Sequence, residues 1–498
     1  MGVVTKTTVR RGKKGMKTKG GIIVVIVSKT FTIETRLEKT KEVEAYFSSY
    51  LKEYNAMYRA MWHKMIAPDY RVRYPKDSYF VTEMCQTYGV LKRTINSIRY
   101  DIKGRIRALF ELKKTEQQAL EIKIEKKEEK VQAIQQNIEK IKPKVRENRA
   151  NPTELKQYRE EKSSLYYQKN QLNRMKQSLQ QVKYEIEHQT LSLGFGGKEM
   201  FRKQYHLEEN GYQTHAEWYR DYIQQRDKNI FYLGSSDETQ GNQLVQLRYV
   251  EESDEFAMQV RKEKKYSGEK KEEQYLRLEQ LQFAHLREEL IELLNHHEKK
   301  TKGQRKPISY RVRREGKKWY LQAMFAIEVE AYETSSTYGV IGLDYNDGFI
   351  EVAETDGCGN LVGQQHYELR YHGTGNKAKT EIEQVIAKIV AYSKQIEKDI
   401  SIEALDFKKT KARTGKAKGT RGKQYQRMLH LFDYSRYQKT LEYSTHRQKV
   451  RLHKVVPYYT SRIGKEKYSE QKKLNAHQAA SYVIARKGQG FCDRLRTT

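Results

Sequence analysis

Read for the spacing of apolar positions, the chain changes period several times. An apolar, β-branched run over residues 22–36 predicts a strand. Residues 1–20 before it, rich in Lys, Arg, Gly and Thr, are expected to be mobile until they meet nucleic acid. From Lys41 to about Met65, Val43, Tyr46, Phe47, Tyr50, Leu51, Tyr54 and Met57 recur at three and four, the period of a helix with one buried face. Helical signal resumes over about 81–112. The clearest periodicity follows. Ile124, Val131 and Ile138 repeat at seven, with Ile134 and Ile141 between them. After breakers at Pro143, Asn151 and Pro152, a second series repeats at seven: Tyr158, Leu165, Leu172, Leu179 and Ile186. Two heptad helices with a short breaker predict an antiparallel hairpin over about 115–190. Its exposed Lys, Glu and Gln fit a solvated arm better than a face that touches a nucleic-acid backbone. Glycines at 192–197 end the pattern, and residues 198–231 read as helix. From Leu244 to about Glu333 strands alternate, including a hairpin of 308–312 with 319–325 around turn residues 315–318. A helix over 276–293 (Leu276, Leu278, Leu281, Phe283, Leu286, Leu290, Leu293) is expected among them.

Further on, Val340, Ile341, Gly342 and Leu343 form a short apolar strand that ends in an acid, Asp344. A second strand follows at 349–353 and, after a Gly359-Asn360 turn, a third begins at Leu361. A helix from about Thr380 to Lys398 leads to another apolar strand, 400–407, which carries Glu403. Meander, helix, strand with a second acid is the element order of the RNase H fold. There, carboxylates on adjacent strands hold two divalent ions that activate a water and stabilise the leaving oxygen. Mg²⁺ suits such a site because it takes carboxylate oxygens and keeps waters for the phosphate, with Mn²⁺ as a substitute.

Charge sharpens this picture. Lys+Arg 96 against Asp+Glu 64 leaves +32 over 498 residues, a surplus that implies a polyanionic partner. The 37 tyrosines add rings that can stack on bases, as in Tyr70, Arg71, Val72, Arg73 and Tyr74, although most tyrosines fill half-buried layers. Cys85, Cys358 and Cys492 lie too far apart for a disulfide framework or a Cys-x-x-Cys knuckle, which fits a reducing compartment. The apolar run at 21–28 is far short of the roughly 20 residues of a membrane span. It continues into Phe31 and Ile33, as a strand does and a signal peptide does not. No membrane partner is therefore expected.

Several blocks together resemble the TnpB (OrfB) family of transposon-encoded nucleases. They are 339–346 with Asp344, 402–407 with Glu403, Pro457-Tyr458-Tyr459-Thr460-Ser461-Arg462-Ile463-Gly464 with Lys467 and Tyr468, and 477–486, His-Gln-Ala-Ala-Ser-Tyr-Val-Ile-Ala-Arg. Upstream, Phe195-Gly196-Gly197 and 232–243 fit the same branch, so the resemblance spans roughly 190–490. It implies a multidomain α+β protein: a helical recognition lobe with the helical hairpin, a β-barrel wedge domain, and a C-terminal RuvC/RNase H-like α/β nuclease domain. The expected boundaries are 1–40 for a basic arm and first wedge strands, 41–231 for the recognition domain, 232–336 for the wedge and 337–498 for the nuclease. It also implies a function akin to type V CRISPR effectors: guide RNA pairs with target DNA, and a RuvC site cuts the DNA with divalent metal, in the cytoplasm of a prokaryotic cell. A monomer is expected.

The chain departs from the family pattern twice. Most members carry a third acid just before the last helix, whereas here the stretch is Leu474-Asn475-Ala476-His477. His477 either takes the third place, as a metal ligand or water-positioning group, or merely starts a helix in an impaired site. Second, the interval that usually holds a zinc ribbon has no cysteine, and His430, His446 and His453 lack the usual spacing, so no zinc is expected. That interval instead holds a basic insert at 408–425, with Lys408, Lys409, Lys411, Arg413, Lys416, Lys418, Arg421 and Lys423. Its position after Glu403 favours a lid on phosphates over a plain charge run. Two other functions stay open: a nuclease-impaired, RNA-guided DNA-binding protein acting as a repressor, and a DNA-only transposase or resolvase.

Overall fold

The structure, a computed structural model, describes residues 14–19, 22–66, 69–73, 78–191, 195–298, 304–329, 331–346, 348–370, 375–404 and 434–493. The chain forms two compact units, Thr30–Ala326 and Ile327–Thr498, with Val9–Lys29 grouped with the second.

The N-terminal elements are β1 (Lys14–Lys19), β2 (Ile22–Arg36), α1 (Lys41–Met65), α2 (Ser78–Tyr88), α3 (Lys92–Arg146), α4 (Pro152–Glu187), α5 (Lys198–Arg202) and α6 (His215–Arg226). They are followed by β3 (Asn229–Tyr232), β4 (Val245–Val250), β5 (Glu255–Arg261), β6 (Tyr275–Leu281), α7 (Arg287–Glu298), β7 (Ser309–Glu315) and β8 (Lys318–Val329). Strands β2, β8, β7 and β3 are neighbours in one sheet, and β4-β5-β6 make an antiparallel three-stranded sheet. The α1 face predicted from spacing is the buried one, from Val43 to Met57. Thr40 caps this helix by accepting from the Val43 N–H at 3.1 Å. Glu263, almost fully buried, ties α1 to the start of α3. Its carboxylate accepts from Tyr50 Oη at 3.2 Å, from the Leu91 N–H at 2.9 Å and from the Thr94 hydroxyl. Burial raises its pKa, so these three donors are what keep the carboxylate tolerable there.

Four expectations change. Residues 14–19, expected to be mobile, form β1, because the apolar edge of β2 gives them a partner in register from Lys14↔Val27 to Lys19↔Ile22. Residues 198–231 are not one helix but α5, α6 and β3. The helix expected over 276–293 is a strand, β6, and then a helix, α7. Its first leucines alternate at two and only the later ones recur at three and four, so the period switches inside the window. The helical stretch expected over 81–112 is split between α2, which ends at Tyr88, and the 55-residue α3, which begins at Lys92 and runs on through the first heptad series. Pro143 lies in its last turn, and the break falls at 147–151, where Asn151 and Glu154 form a capping box and Pro152 opens α4.

α3 and α4 are antiparallel, as shown by the crossing pairs Lys127–Gln168, Lys176–Glu128 and Lys144–Glu154. Ile124, Val131 and Leu172 form a dry seam flanked by Leu165, Met175 and Leu179. Each helix therefore satisfies the other's apolar stripe within one chain. Excising residues 119–181 and closing the ends with a short turn is expected to leave a folded protein of unchanged oligomeric state, as read by light scattering. A stable dimer of the intact chain that becomes a monomer on excision would show instead that the seam pairs chains.

The second unit holds β9 (Val340–Asn346), β10 (Phe349–Thr355), β11 (Leu361–Glu368), α8 (Asn376–Gln395), β12 (Asp399–Glu403), α9 (Tyr434–Arg447), β13 (Leu452–Val455), α10 (Thr460–Ile463), α11 (Ser469–Lys472) and α12 (Ala476–Gly488). The sheet order is β11-β10-β9-β12-β13. The first three strands form the antiparallel meander, β12 runs parallel to β9, and β13 runs parallel to β12. Alternation along the strands splits the residues between two faces. Ile341, Leu343, Ile350, Val352, Ile400 and Ile402 pack with Ile386, Ile389 and Val390 of α8 and Tyr437 and Leu441 of α9. The opposite face, with Gly342, Asp344, Glu351, Ser401 and Glu403, receives α12. A Cβ on Gly342 would come within 2.1 Å of Ser481 O and 2.4 Å of Ala485 N, so only glycine lets that helix lie on β9.

Candidate active site

Asp344 sits near the end of β9, Glu403 ends β12, and His477 occupies the first turn of α12. Because β9 and β12 are adjacent and parallel, with Ile402 beside Leu343, both acids emerge at the same end of the sheet. They line one pocket with Leu343, Tyr345, Ile402, Tyr434 and Tyr437. Its aromatic wall is built by Tyr345 and Tyr437, stacked with centroids 4.2 Å apart.

Each acid is held by neighbours. Asp344 Oδ2 accepts from Asn346 Nδ2 at 3.0 Å and faces His477 Nδ1 at 3.2 Å. Both contacts fall on the same oxygen, Oδ2. Glu403 Oε1 accepts from the Thr460 hydroxyl, whose oxygen also lies 3.2 Å from Pro457 O. Tyr434 Oη donates to the Glu403 main-chain carbonyl. Burial raises the Glu403 pKa. The Thr460 hydrogen bond opposes the rise, the neighbouring Asp344 charge adds to it, and the Lys487 ammonium opposes it.

α12 is placed by its cap and its apolar face. Asn475 Oδ1 accepts from the His477 and Gln478 N–H groups at 2.9 and 2.8 Å, and Gln478 Oε1 accepts from the Asn475 N–H at 3.1 Å. Ala479, Ala480, Val483 and Ile484 are all buried. The helix N-terminus, with its partial positive charge, thus lies beside the Asp344 carboxylate. His477 is about half exposed, and its ring meets the edge of Phe349 at 5.2 Å.

The three residues expected from sequence are therefore brought together. The eight basic residues of the insert, Lys408 to Lys423, lie outside the described residues, as does the first part of the interval where a zinc ribbon would sit, up to 433. Sequence reasoning gave no role to Thr460, Lys487 or the pair Glu351–His366. Glu351 is directly across from Asp344 in the β9–β10 hairpin and only 3% exposed. One of its oxygens pairs with His366 Nδ1 at 2.8 Å, and the other is buried without a partner. The turn between Asn346 and Phe349 was the available signal, because pairing those two residues sets Glu351 opposite Asp344.

What the donor set can hold follows from its chemistry. Two carboxylates, one of them buried with its pKa raised, form a like-charged pair that a divalent cation would relieve. Among the described residues no group of three His, Cys, Asp or Glu forms a ready-made metal cage. The fit is to an ion such as Mg²⁺, which takes one or two carboxylates and keeps its waters, rather than to zinc.

Glu403→Gln tests the acid pair. A carboxyl whose folded pKa is raised contributes stability below its unfolded pKa and loses it as pH rises through the folded value. Without metal the wild type is therefore expected to melt lower than Glu403→Gln at mildly alkaline pH, with the gap closing on acidification. Mg²⁺ should raise the melting temperature of the wild type and leave that of the variant nearly unchanged. A variant that melts below the wild type in chelator at alkaline pH would show that Glu403 is not held in a cation-poor acid pair.

No protein-family model and no curated protein matches the chain. Among solved structures it is similar to T. thermophilus RuvC in complex with a Holliday junction substrate, at 12% identity, covering 29% of this chain and 89% of that one with a TM-score of 0.21. It is also similar to the Cas12f1–sgRNA–target DNA complex, at 9% identity, covering 92% of this chain and 98% of that one with a TM-score of 0.24. At these scores neither likeness carries an argument, and the site stands on its own geometry.

Proposed function

We propose that the chain is an RNA-guided, divalent-metal-dependent DNA endonuclease of transposon origin, with a RuvC-type cutting site made of Asp344, Glu403 and His477. One observation carries the cutting part: two acids at the same end of adjacent parallel central strands, in one pocket, in a sheet whose meander is followed by two parallel strands. The RNA-guided and transposon-derived parts rest on the motif resemblance and on the charge of +32.

In this reading Asp344 and Glu403 would hold the metal, which would supply an activated water and charge to stabilise the leaving oxygen. Thr460 fixes the Glu403 carboxylate by its hydroxyl, and Asn346 and His477 fix Asp344 by Oδ2. Lys487, whose charge reaches Glu403, places a cation beside the pocket that attracts the substrate phosphate. The basic insert at 408–425 would add salt-dependent contacts to phosphates.

The test starts from protein expressed with its native flanking DNA. RNase-sensitive RNA should co-purify, and its sequence should direct cutting of a matching DNA in Mg²⁺ or Mn²⁺. Bound RNA with no cutting of any guided target would leave an RNA-guided binding protein. Cutting that survives complete RNA removal would leave a DNA-only enzyme.

A further inference from the structure

In the second unit most tyrosines are packed or bonded. Tyr345 stacks on Tyr437, Tyr434 donates to Glu403 O, and Tyr482 donates to Gly359 O at 2.8 Å. Among the described residues Tyr338, Tyr458 and Tyr459 depart from this, and of these only Tyr458 and Tyr459 are adjacent, with 74% and 57% of their surface exposed next to an exposed Val456. Their rings are adjacent, with centroids 6.2 Å apart and planes tilted by 47°.

Their backbone, by contrast, is pinned. Lys487 Nζ donates to Tyr458 O at 2.7 Å and to Val456 O at 3.2 Å. The next residue, Thr460, is buried and donates its hydroxyl to Glu403, with its oxygen 3.2 Å from Pro457 O. Tyr459 itself takes the left-handed conformation, φ 58°, and its carbonyl accepts from the Ile463 N–H at 2.7 Å. A non-glycine residue held there is strained, and the strain is sustained by the surrounding bonds. A fixed backbone with two bare rings, one residue from the group that orients Glu403, is a surface organised for something that meets the rings.

We propose that Tyr458 and Tyr459 form a stacking platform for the bases of an unpaired DNA strand whose phosphate lies at Asp344 and Glu403. This rests on the nuclease reading above. The charge of the site favours this occupant. Lys487, bonded to the loop's carbonyls, places a positive charge there, so a polyanion is attracted where an apolar peptide would gain nothing from it; Arg462, which follows the loop, is paired with Glu466 at 2.7 Å. Rings of tyrosine suit bases because every base has a π-face, whereas in a duplex those faces are already stacked and unavailable. The platform would thus select for unpaired strands at the point of cutting without reading their sequence.

The experiment uses the full chain in chelator, so that binding is read without cutting. A short single-stranded DNA carrying 2-aminopurine at successive positions should be quenched at one or two adjacent positions. Tyr458→Ala/Tyr459→Ala should lose that quenching and weaken binding roughly five- to hundred-fold, on the scale of one stacked base. Tyr458→Trp/Tyr459→Trp should restore both, and Tyr458→Leu/Tyr459→Leu, which keeps apolar surface but no ring, should not. Melting temperatures of all three variants within a few degrees of wild type separate loss of stacking from loss of fold. The proposal is overturned if the alanine variant quenches and binds like wild type, if duplex DNA of equal charge competes as well as the single strand, or if only RNA binds. A wild type that cuts, paired with an alanine variant of unchanged KM for unpaired DNA, overturns the platform and leaves the nuclease reading intact.

Discussion

Asp344→Ala is expected to reduce guided DNA cutting by roughly 10²–10³-fold or more, while guide-dependent DNA binding changes little. The two halves of that expectation come from different physics. Cutting needs charge placed where the phosphate reacts, and Asp344 is one of the two carboxylates in the pocket. Its removal also strands Asn346 Nδ2 and His477 Nδ1, which both face its Oδ2. Binding, in contrast, sums many Lys and Arg contacts to phosphates with base pairing by the guide. One carboxylate less among 64 acids lowers local repulsion toward DNA, so affinity should hold or rise slightly. The check is a paired measurement on the same preparation: initial cutting rate in Mg²⁺, and target-DNA affinity in chelator. Equal cutting by variant and wild type would remove Asp344 from the site and with it the nuclease assignment.

The part of the site visible in sequence was the part encoded locally. A short apolar strand running to Asp344 and a second, expected over 400–407, that carries Glu403 are short-range patterns; β9 forms and runs two residues past Asp344, and β12 ends at Glu403, with residues 405–407 outside the described residues. The capping of α12 was equally local, since Asn475 and Gln478 stand three apart before an apolar run. β13 was not foreseen. It pairs in parallel with β12 about 50 residues away, and a parallel partner leaves no turn signature between the two strands. Thr460 escaped for the same reason, because its contact with Glu403 depends on where β13 delivers the chain.

The same distinction explains the N-terminal unit. The seam of Ile124, Val131 and Leu172 repeats at seven and was readable, as was the buried face of α1. The split of residues 276–293 into β6 and α7 was obscured because seven apolar residues fit a helical window loosely while the first of them pair across β5. Glu263 illustrates what pattern alone misses. It stands in a run of Lys and Glu that reads as surface, yet it is buried where three donors from α1, the α2–α3 connection and α3 converge.

His477→Ala is expected to lose most cutting, roughly 10–10²-fold, the scale for removing a group that orients or completes a metal site. The argument runs from the hydrogen bond. A carboxylate only accepts, so with Nδ1 at 3.2 Å from Asp344 Oδ2 the proton sits on Nδ1 and the Nε2 lone pair is left free. An imidazole held that way by a carboxylate is the arrangement that serves a metal or a positioned water. Its location is fixed by the α12 cap and by the ring edge of Phe349, rather than by a flexible loop. Acidification should depress cutting through Glu403, whose raised pKa leaves it increasingly protonated as pH falls. His477→Asp, which restores the acid usual in the resembling family, should keep substantial cutting. RNA content and melting temperature of His477→Ala should match wild type, because the side chain is half exposed and packs on little besides Phe349. If His477→Ala cuts at the wild-type rate, the residue only begins a helix, and the catalytic load falls on Asp344 and Glu403 alone.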